Sequence, residues 1–236
     1  AWLGLGADTW LVLLAQRHFH DPADQALLQG IGRLLNLHQH TSQQLHLERQ
    51  ARLEAIDRAS RDPLTGLPNR IRALAHLEHL LAERAQAADA GAAEQPVVLF
   101  IDLDNFKGIN DAHGHGVGDH FLVTISKILR HEVHREDLVA RLAGDEFIVI
   151  SQERQPGDAS RLAERLIDAI ARPMTIGSCV LNHSASIGLA HVSPLDRAET
   201  VIENADLAMM QAKRLGRGRS SCFDLELRAA ARARAN

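Results

Sequence analysis

The run Arg141-Leu142-Ala143-Gly144-Asp145-Glu146-Phe147 decides the fold of this chain. It places two adjacent carboxylates on a glycine turn, directly before the apolar run Phe147 to Ile150. Upstream, Leu99-Phe100-Ile101-Asp102-Leu103-Asp104-Asn105-Phe106-Lys107 is a second apolar stretch that ends in carboxylates and then a lysine. Two strands that each carry an acidic residue at one end can form a divalent-metal site, and Mg²⁺ prefers oxygen ligands together with water and substrate phosphates. The pattern therefore indicates nucleotide chemistry rather than zinc or thiol chemistry.

Further sequence motifs accompany these stretches in a definite order. They are D-x-L-T-G-L-x-N-R at Asp62–Arg70, F-x-D-x-D-x-F-K-x-x-N-D at Phe100–Asp111, G-H-x-x-G-D at Gly114–Asp119, S-I-G at Ser186–Gly188 and A-D-x-A-M-x-x-A-K-x-x-G-R at Ala205–Arg217. Together with Ala143–Phe147, they resemble the signature sequences of the GGDEF family of diguanylate cyclases. Ala143 stands in place of the first glycine of the family motif, and Met210 stands where tyrosine is usual. The resemblance covers roughly residues 60 to 223.

The resemblance implies the fold and the reaction. The expected fold is α/β, with a central, mainly antiparallel sheet flanked by helices in the nucleotidyl-cyclase and polymerase-palm topology, preceded by a long helix. The expected reaction condenses two GTP molecules to cyclic di-GMP and pyrophosphate, with each 3′-hydroxyl attacking the α-phosphate of the other nucleotide. It needs Mg²⁺ or Mn²⁺ and two facing subunits, so the expected partners are GTP, cyclic di-GMP as product, and a second copy joined through the N-terminal helix.

The same resemblance assigns the site residues. The metal ligands it implies are Asp102, the carbonyl of Leu103, Asp145 and Glu146, and the catalytic residues are Asp145, Glu146 and Lys107. The substrate-binding residues it implies are Asn110, Asp119, Gly144, Lys213 and Arg217. An amide can pair with the acceptor edge of guanine and a carboxylate can accept from its N–H groups, which assigns Asn110 and Asp119 to the base. Glycine at 144 allows a close backbone approach to ribose or phosphate.

Each of these residues also has an ordinary structural interpretation. An Asp-Glu pair in a turn is commonly just solvent-exposed. Asn110 can cap a helix, and Asp119 can lie in the first turn of a helix, where the helix dipole stabilises a negative charge. Lys213 and Arg217 are four residues apart, so they share a helix face if the helix persists, and can be a solvated basic helix end. The adjacent carboxylates Asp145 and Glu146 point to opposite faces of a regular strand, so the sequence does not separate their roles.

Two positions depart from the family pattern. If Ala143 needs a positive φ, it carries strain on the order of 1 kcal/mol, and we expect reduced or normal activity rather than its loss. The family's product-inhibition site has the pattern R-x-x-D, and here His134-Arg135-Glu136-Asp137 occupies it. His134 cannot reproduce the bidentate grip of arginine, and Arg135 is one residue out of register. The sequence therefore predicts a degenerate inhibitory site at His134 and Asp137, with weak or absent product inhibition.

Composition sets limits on the class of protein. The chain has 236 residues, 45% of them hydrophobic but only 3% aromatic, so aliphatic side chains must fill the core. The net charge of −4 gives no reason to expect nucleic-acid binding. Cys179 and Cys222 form neither a disulfide framework nor a metal-ligand pattern, which indicates a reducing, cytoplasmic environment. The apolar stretch Ala1–Ala15 contains Asp8 and is too short to span a membrane.

The chain divides into segments by its periodicity. Residues 1–20 resemble the remnant of a GAF-like sensor, with a strand at 9–16. Residues 21–60 resemble a signalling or coiled-coil helix. Residues 224–236 resemble the start of a helical linker to an EAL domain that is absent here. An ordinary amphipathic helix packed on its own domain is the alternative for 21–60. In the domain at 61–223, the pattern predicts helices at 69–88, 105–112, 118–134, 157–172 and 198–214, and strands at 97–101, 138–142, 146–151, 174–182, 184–192 and 219–223.

Two main functions are compatible with these residues. The first is an active diguanylate cyclase controlled through dimer geometry, which the full set of ligand residues favours. The second is a catalytically weak or inactive GTP-binding module that regulates an attached EAL phosphodiesterase domain, which Ala143, His134 and the EAL-like tail favour. A pure dimerisation scaffold is a weaker third possibility, because a scaffold does not need the full ligand set.

Overall fold

The structure is a computed structural model of the chain that describes residues 2–4, 10–12, 22–86, 95–193 and 195–229. It divides into two compact units, Ala1–Ala59 and Ser60–Asn236. The first contains β1 (Trp2–Gly4) and β2 (Trp10–Val12), paired antiparallel, followed by α1 (Pro22–Ala59). The strand predicted at 9–16 is present over 10–12, and the rest of the predicted sensor remnant at 1–20, apart from β1, lies outside the described residues.

The long helix α1 agrees closely with the helix predicted at 21–60. Pro22 is its first residue, a position where the missing N–H of proline costs nothing. Large apolar side chains are exposed along it, including Leu34, Leu45 and Ile56, which are 68%, 62% and 56% exposed. Helices in proteins draw most of their stability from burying an apolar stripe, so these side chains mark a surface suited to a partner.

The second unit is built around one mixed sheet. In chain order it contains α2 (Arg70–Gln86), β3 (Gln95–Leu103), α3 (Phe106–His113), α4 (His115–Glu132), β4 (Leu138–Ala143), β5 (Glu146–Glu153), α5 (Asp158–Ala171), β6 (Met174–Ile176), β7 (Cys179–Leu181), β8 (Ala185–His191), α6 (Ala198–Arg214) and β9 (Ser220–Cys222). The strand order is β4-β5-β3-β8-β9, antiparallel except for the parallel β8/β9 pair. The expected α/β fold with a mainly antiparallel sheet is confirmed.

Strand β3 is central because both of its faces are apolar. Leu99 and Ile101 face a core built with α4 and α5, whereas Val98 and Phe100 face a second core built with α2 and α6. Alternate residues of a strand point to opposite faces, so a continuous apolar run fits a strand covered on both sides. The next residue of the second row is Asp102, which places a carboxylate where the apolar row ends on the α6 side.

Gly188 explains how closely α6 packs on the sheet. A Cβ at this position would lie 2.0 Å from the carbonyl oxygen of Ala205 and 2.1 Å from the amide nitrogen of Met209. Both are backbone atoms and cannot turn aside, so only glycine fits. The glycine of the S-I-G motif thus sets the distance between β8 and the helix that carries Lys213.

The structure corrects several predicted boundaries. The single strand predicted at 174–182 is the hairpin β6/β7, because Gly177 adopts a φ of 59° and turns the chain. Helix α4 begins at His115 rather than 118, immediately after Gly114 ends α3 with a φ of 82°. Of the predicted helical tail, one turn at 225–229 is present and 230–236 lies outside the described residues, as do 87 and 88 of the helix predicted at 69–88.

Candidate active site

Acidic residues from two neighbouring strands meet at one edge of the sheet. Asp102 near the end of β3 is the register partner of Glu146 at the start of β5, and directly opposed residues lie on the same face. The amide of Leu103 donates to the carbonyl of Asp145 at 3.3 Å, which holds the glycine turn against the end of β3. The structure therefore brings Asp102, Asp145 and Glu146 together, as the spacing predicted.

Two of the predicted substrate-binding residues, Lys213 and Arg217, reach this edge from different elements. Lys213 Nζ lies 2.6 Å from Asp102 Oδ1. Helix α6 ends at Arg214, and Arg217 lies beyond it with a φ of 60°. The helix does not persist to Arg217, so the condition for a shared helix face is not met. Arg217 approaches from the following loop, with its Nε 4.0 Å from Asp104 Oδ1. Gly216, which follows the C-cap residue Leu215 and has a φ of 119°, allows the chain to turn back.

Asp104, which the sequence analysis did not select, holds that loop in place. Its buried carboxylate accepts hydrogen bonds from Ser184 Oγ at 2.7 Å, Ser186 Oγ at 2.8 Å and the Gly218 amide at 3.1 Å. Because these donors use its oxygens, Asp104 joins the ends of β3, β8 and the Arg217 loop rather than remaining available to a ligand. Its place in the D-x-D segment Asp102–Asp104 is the sequence feature that could have identified it.

Three carboxyl groups at this edge have pKa values above their ordinary range, with burial as the first cause. Burial raises the pKa of Asp102, and Lys213 only partly offsets this. Burial, then the charges of Asp206, Asp102 and Asp145, raise the pKa of Glu146. Asp206 on α6, a further residue missed from sequence, has its own pKa raised by burial. It lies seven residues before Lys213 and thus on the same helix face, and this spacing could have identified it from the sequence. Clustered carboxylates of this kind favour bound cations.

These donors fit a hard divalent cation. All are oxygens, which suits Mg²⁺ or Mn²⁺ and not a thiol-binding metal. Within the described residues, no group of three or more His, Cys, Asp or Glu side chains is arranged to hold a metal alone. Mg²⁺ sites in proteins commonly use one or two carboxylates and take further oxygens from substrate phosphates.

The predicted guanine-binding residues lie on α3 and α4. A Cβ on Gly118 would lie 2.0 Å from Asn110 Oδ1 and 3.3 Å from Cζ of Phe106. Gly118 therefore lets the Asn110 amide approach α4 directly before Asp119, whose side chain is exposed. Asn110 lies within α3 and is not its N-cap, which is Asn105, and Asp119 lies beyond the first turn of α4. The alternative interpretations, a helix cap for Asn110 and a first-turn position for Asp119, are therefore both wrong.

Two further predicted residues, Lys107 and Gly144, are exposed. Lys107 is exposed in the first turn of α3, and Gly144 is exposed with a φ of 50°. Ala143 is not among the non-glycine residues with positive φ, which are Asn105 and Arg217 in the described chain. The condition for strain at Ala143 is therefore not met, because the left-handed position of the turn falls on Gly144.

Arg141 fixes the turn to the start of the domain. Its Nε and Nη2 donate to the Gly144 carbonyl at 2.9 and 2.7 Å, and its Nη1 contacts both carboxylate oxygens of Asp62. Asp62 also accepts from the amide and hydroxyl of Thr65 at 2.8 and 2.6 Å. The D-x-L-T-G-L motif and the glycine turn are therefore one connected structure.

The residues of the predicted inhibitory site lie at a cavity of about 190 Å³. His134 and Asp137 line it, but the Asp137 carboxylate accepts from the His134 amide at 2.8 Å and closes a turn. Its arginines are paired as well, with Arg154 on Glu136 at 2.9 Å and Arg165 on Glu132 at 3.4 Å. Arg135 lines a neighbouring cavity with Pro68 and Arg130, and His134 and Asp137 line that cavity as well.

Comparison with known proteins agrees with this geometry. The family described as "Diguanylate cyclase, GGDEF domain" matches residues 59–219. The bifunctional diguanylate cyclase/cyclic di-GMP phosphodiesterase MucR of Pseudomonas aeruginosa is 41% identical over 186 residues, which are 76% of this chain and 26% of MucR. The diguanylate cyclase TpbB of the same species is 39% identical over 178 residues, 72% of this chain and 40% of TpbB. The chain thus spans well under half the length of these relatives.

Solved structures show the same domain. The GGDEF domain of TpbB superposes with a TM-score of 0.67 at 35% identity, covering 73% of this chain and 99% of that one. The coiled coil and GGDEF domain of DgcB from Caulobacter crescentus, in complex with c-di-GMP, gives 0.70 at 23% identity over 80% and 98% of the chains, a likeness of fold alone. With the family match spanning most of the chain and the motifs at one sheet edge, the chain belongs to the GGDEF family of diguanylate cyclase domains.

Proposed function

We propose that this chain is an active diguanylate cyclase that condenses two GTP molecules to cyclic di-GMP and pyrophosphate. The observation that carries the proposal is the pairing of Asp102 with Glu146 across β3/β5, with Lys213 2.6 Å from Asp102. Carboxylates that can bind a metal ion and basic side chains that can bind phosphates lie at the same edge of the sheet. Phosphoryl transfer depends mainly on such positioning and charge.

Each residue has a role in this reaction. Asp102, the Leu103 carbonyl and Asp145 would hold Mg²⁺ or Mn²⁺, which when bound supplies positive charge against the triphosphate. Lys213 and Arg217 neutralise phosphate oxygens from α6 and its following loop, and Lys107 does so from α3. Asp145 and Glu146 are the carboxylates that can accept the proton of the attacking hydroxyl. Gly144 keeps the turn free of a side chain that would block the nucleotide.

The base is selected by Asn110 and Asp119. We propose that the Asn110 amide, held against Gly118, and the exposed Asp119 carboxylate bind the edge of guanine. Adenine offers the reversed pattern of donors and acceptors, and an unpaired buried polar group costs about 1–3 kcal/mol. We therefore expect GTP to bind more tightly than ATP in calorimetry.

The reaction needs two such sites facing each other. We propose that two copies associate through α1, whose exposed Leu34, Leu45 and Ile56 supply an apolar surface. We also propose that 21–60 transmits a signal from an upstream sensor and that 224–236 begins a linker to a further domain. Among the described residues, no helix is long and apolar enough to cross a membrane.

Product inhibition is proposed to be weak. His134 lacks the bidentate guanidinium, and the Asp137 carboxylate is already bonded to the His134 amide. Titration of cyclic di-GMP into the Asp145→Ala variant tests this, because turnover does not interfere there. Sub-micromolar binding that disappears in Asp137→Ala would show instead that the site survives.

The deciding experiment is incubation of the chain with GTP and Mg²⁺, followed by chromatography of the products. We expect cyclic di-GMP and pyrophosphate, and no product from Asp145→Ala at unchanged thermal stability. Asp168→Ala, which removes an exposed carboxylate on α5, is the matched control and should retain full activity. Unchanged product formation by Asp145→Ala would refute the assignment.

A second function remains in competition. The chain matches 26% of MucR, a bifunctional protein with phosphodiesterase activity, so a regulatory GTP-binding GGDEF module attached to an EAL domain is the alternative. It predicts GTP binding without product in the same experiment. Ala143 no longer favours this alternative, since its backbone is not in the left-handed region.

A further inference from the structure

The chain that follows the last strand returns to helix α6. Strand β9 ends at Cys222, and the amide of Phe223 then donates to the Leu189 carbonyl of β8 at 2.7 Å. The Phe223 side chain packs against the second core, to which the buried face of α6 also belongs. Residues 223–229, which we call the return segment, are therefore fixed at their beginning to both the sheet and the core under α6.

The return segment has a defined local structure. The Asp224 carboxylate accepts from the amide of Leu227 at 2.7 Å, and the Asp224 carbonyl accepts from the amide of Arg228 at 3.4 Å. An aspartate that binds the amide three residues later caps the start of a helical turn, here the single turn 225–229. This turn carries the guanidinium of Arg228 over the ring of Phe223, with 5.2 Å between the guanidinium carbon and the ring centroid. The ring face attracts the cation and so helps to fix it.

Arg228 meets a buried polar side chain of α6. Asn204 is only 5% exposed, and its Oδ1 accepts a hydrogen bond from Nη2 of Arg228. A buried amide that loses such a partner either stays unpaired, at a cost in free energy, or moves towards water. The guanidinium therefore supports the burial of Asn204, and the contact joins residues 24 positions apart in the chain.

Asn204 lies beside the point at which α6 is closest to the sheet. The next residue, Ala205, has the carbonyl oxygen that leaves no room for a side chain on Gly188 of β8. Lys213, whose Nζ lies 2.6 Å from Asp102, follows further along the same helix, about 14 Å from Asn204. A helix moves as a rigid element, so a shift or rotation at Asn204 also moves Lys213 at the acidic edge.

We propose that Arg228 is a positioning residue for phosphate binding, which it supports through Asn204 and α6 without touching the nucleotide. This inference rests on the proposed binding of GTP, in which Lys213 neutralises phosphate oxygens. Helix α6 is then fixed at Ala205 by the sheet and at Asn204 by the return segment. Without the guanidinium, Asn204 shifts towards water and Lys213 is no longer held in one orientation towards the phosphates.

Hydrogen exchange measured by mass spectrometry tests whether Arg228 holds α6, and it needs no nucleotide. In Arg228→Ala we expect faster exchange of the amides of α6, with α5 unchanged as the internal reference. Arg228→Lys keeps a donor for Asn204 and should give an intermediate rate. Glu226→Gln, which changes an exposed charge in the same turn, is the control and should exchange like the unaltered chain. Exchange in α6 that Arg228→Ala leaves unchanged would overturn the proposal.

Calorimetry with 3′-deoxy-GTP and Mg²⁺ tests whether the effect reaches Lys213. This nucleotide lacks the attacking hydroxyl, so it binds without turnover. We expect Arg228→Ala to weaken its binding about threefold or more, within the range by which residues distant from a ligand modulate affinity. In a Lys213→Ala background the same substitution should have no further effect, whereas a merely structural role would lower the affinity equally in both backgrounds.

The outcomes separate this inference from the proposed function. Equal losses of affinity with and without Lys213 would overturn the role of Arg228 and leave the cyclase assignment intact. A chain that binds 3′-deoxy-GTP but forms no cyclic di-GMP from GTP would refute the proposed activity, while hydrogen exchange and calorimetry would still decide the role of Arg228. An unaltered chain that binds no 3′-deoxy-GTP would overturn both.

Discussion

At the scale of single residues, the glycine turn shows which position in a motif carries the conformational demand. Ala143 pairs with Glu146 at the end of β4, and Gly144 adopts the positive φ. A Cβ on Gly144 would meet no atom within 4 Å, so the barrier to a side chain there is backbone strain alone. The motif therefore tolerates alanine at its first position for a reason that the sequence alone does not reveal.

Matched substitutions test this. Gly144→Ala should lower the free energy of unfolding by about 1 kcal/mol through left-handed strain. Ala143→Gly should lower it slightly, by about 0.5–1 kcal/mol, because glycine gains entropy in the unfolded chain. Urea unfolding measures both. A rise in stability for Ala143→Gly would show that Ala143 is strained after all.

At the scale of secondary-structure elements, two close contacts set the site's geometry. Gly188 lets α6 lie against β8, and Arg141 joins the glycine turn to Asp62. In both cases residues far apart in sequence determine how closely two elements approach each other at the sheet edge that carries the acidic residues. The S-I-G and D-x-L-T-G-L motifs contain none of the proposed catalytic residues, yet they position the elements that do.

Replacement of Gly188 by alanine should be severe. The added methyl group would overlap the backbone of α6, and overpacking of this kind costs about 1–3 kcal/mol or more. Gly116→Ala, in α4 with nothing within 4 Å of the new Cβ, is the control and should be neutral or slightly stabilising. Thermal unfolding distinguishes them, and equal melting temperatures would contradict the packing argument.

The Asp62–Arg141 pair should give a characteristic dependence on pH. Burial acts to raise the pKa of Asp62, but the hydrogen bonds from Thr65 and Arg141 outweigh it, so the pKa lies below its ordinary value of 3.8. A carboxylate with a lowered pKa contributes stability that is complete above the unfolded value and is lost as pH falls through the folded one. This contribution should therefore disappear only in the acid range below 3.8.

Asp62→Asn should accordingly lose about 1–3 kcal/mol at about pH 5, with a smaller loss at about pH 3. Urea unfolding at the two pH values measures the difference. Asp168→Asn, which alters an exposed carboxylate on α5, is the control. A deficit for Asp62→Asn that is the same at both pH values would argue against the ionised pair.

At the scale of the whole molecule, one chain supplies only one acidic edge, whereas the proposed reaction joins two nucleotides. Exposed apolar side chains on α1 form the surface that we propose to hold a second copy. Ile31, Leu45 and Ile56 recur at helical spacing and form the stripe that a coiled-coil helix over 21–60 predicts, and all three are exposed. Activity is then expected to depend on protein concentration.

Leu45→Glu should weaken dimerisation, because it puts a charge into the proposed apolar contact. Sedimentation should show a shift towards monomer, and specific activity should fall at low protein concentration and recover at high concentration. Gln44→Glu, the exposed neighbouring residue off the predicted stripe, is the charge-matched control. A Leu45→Glu protein that dimerises normally would place the contact elsewhere.

The sequence by itself determined the fold class, the order of helices and strands in the domain, and the principal acidic and basic residues, because local periodicity and short motifs encode these directly. Tertiary structure decided how they meet. Arg217 reaches the site from a loop, Asp104 binds that loop, and Asp206 contributes its charge to Glu146 through contacts between residues distant in sequence. It also decided that Ala143 is unstrained and that Glu153 meets His191, since register and backbone angle emerge only when strands pair.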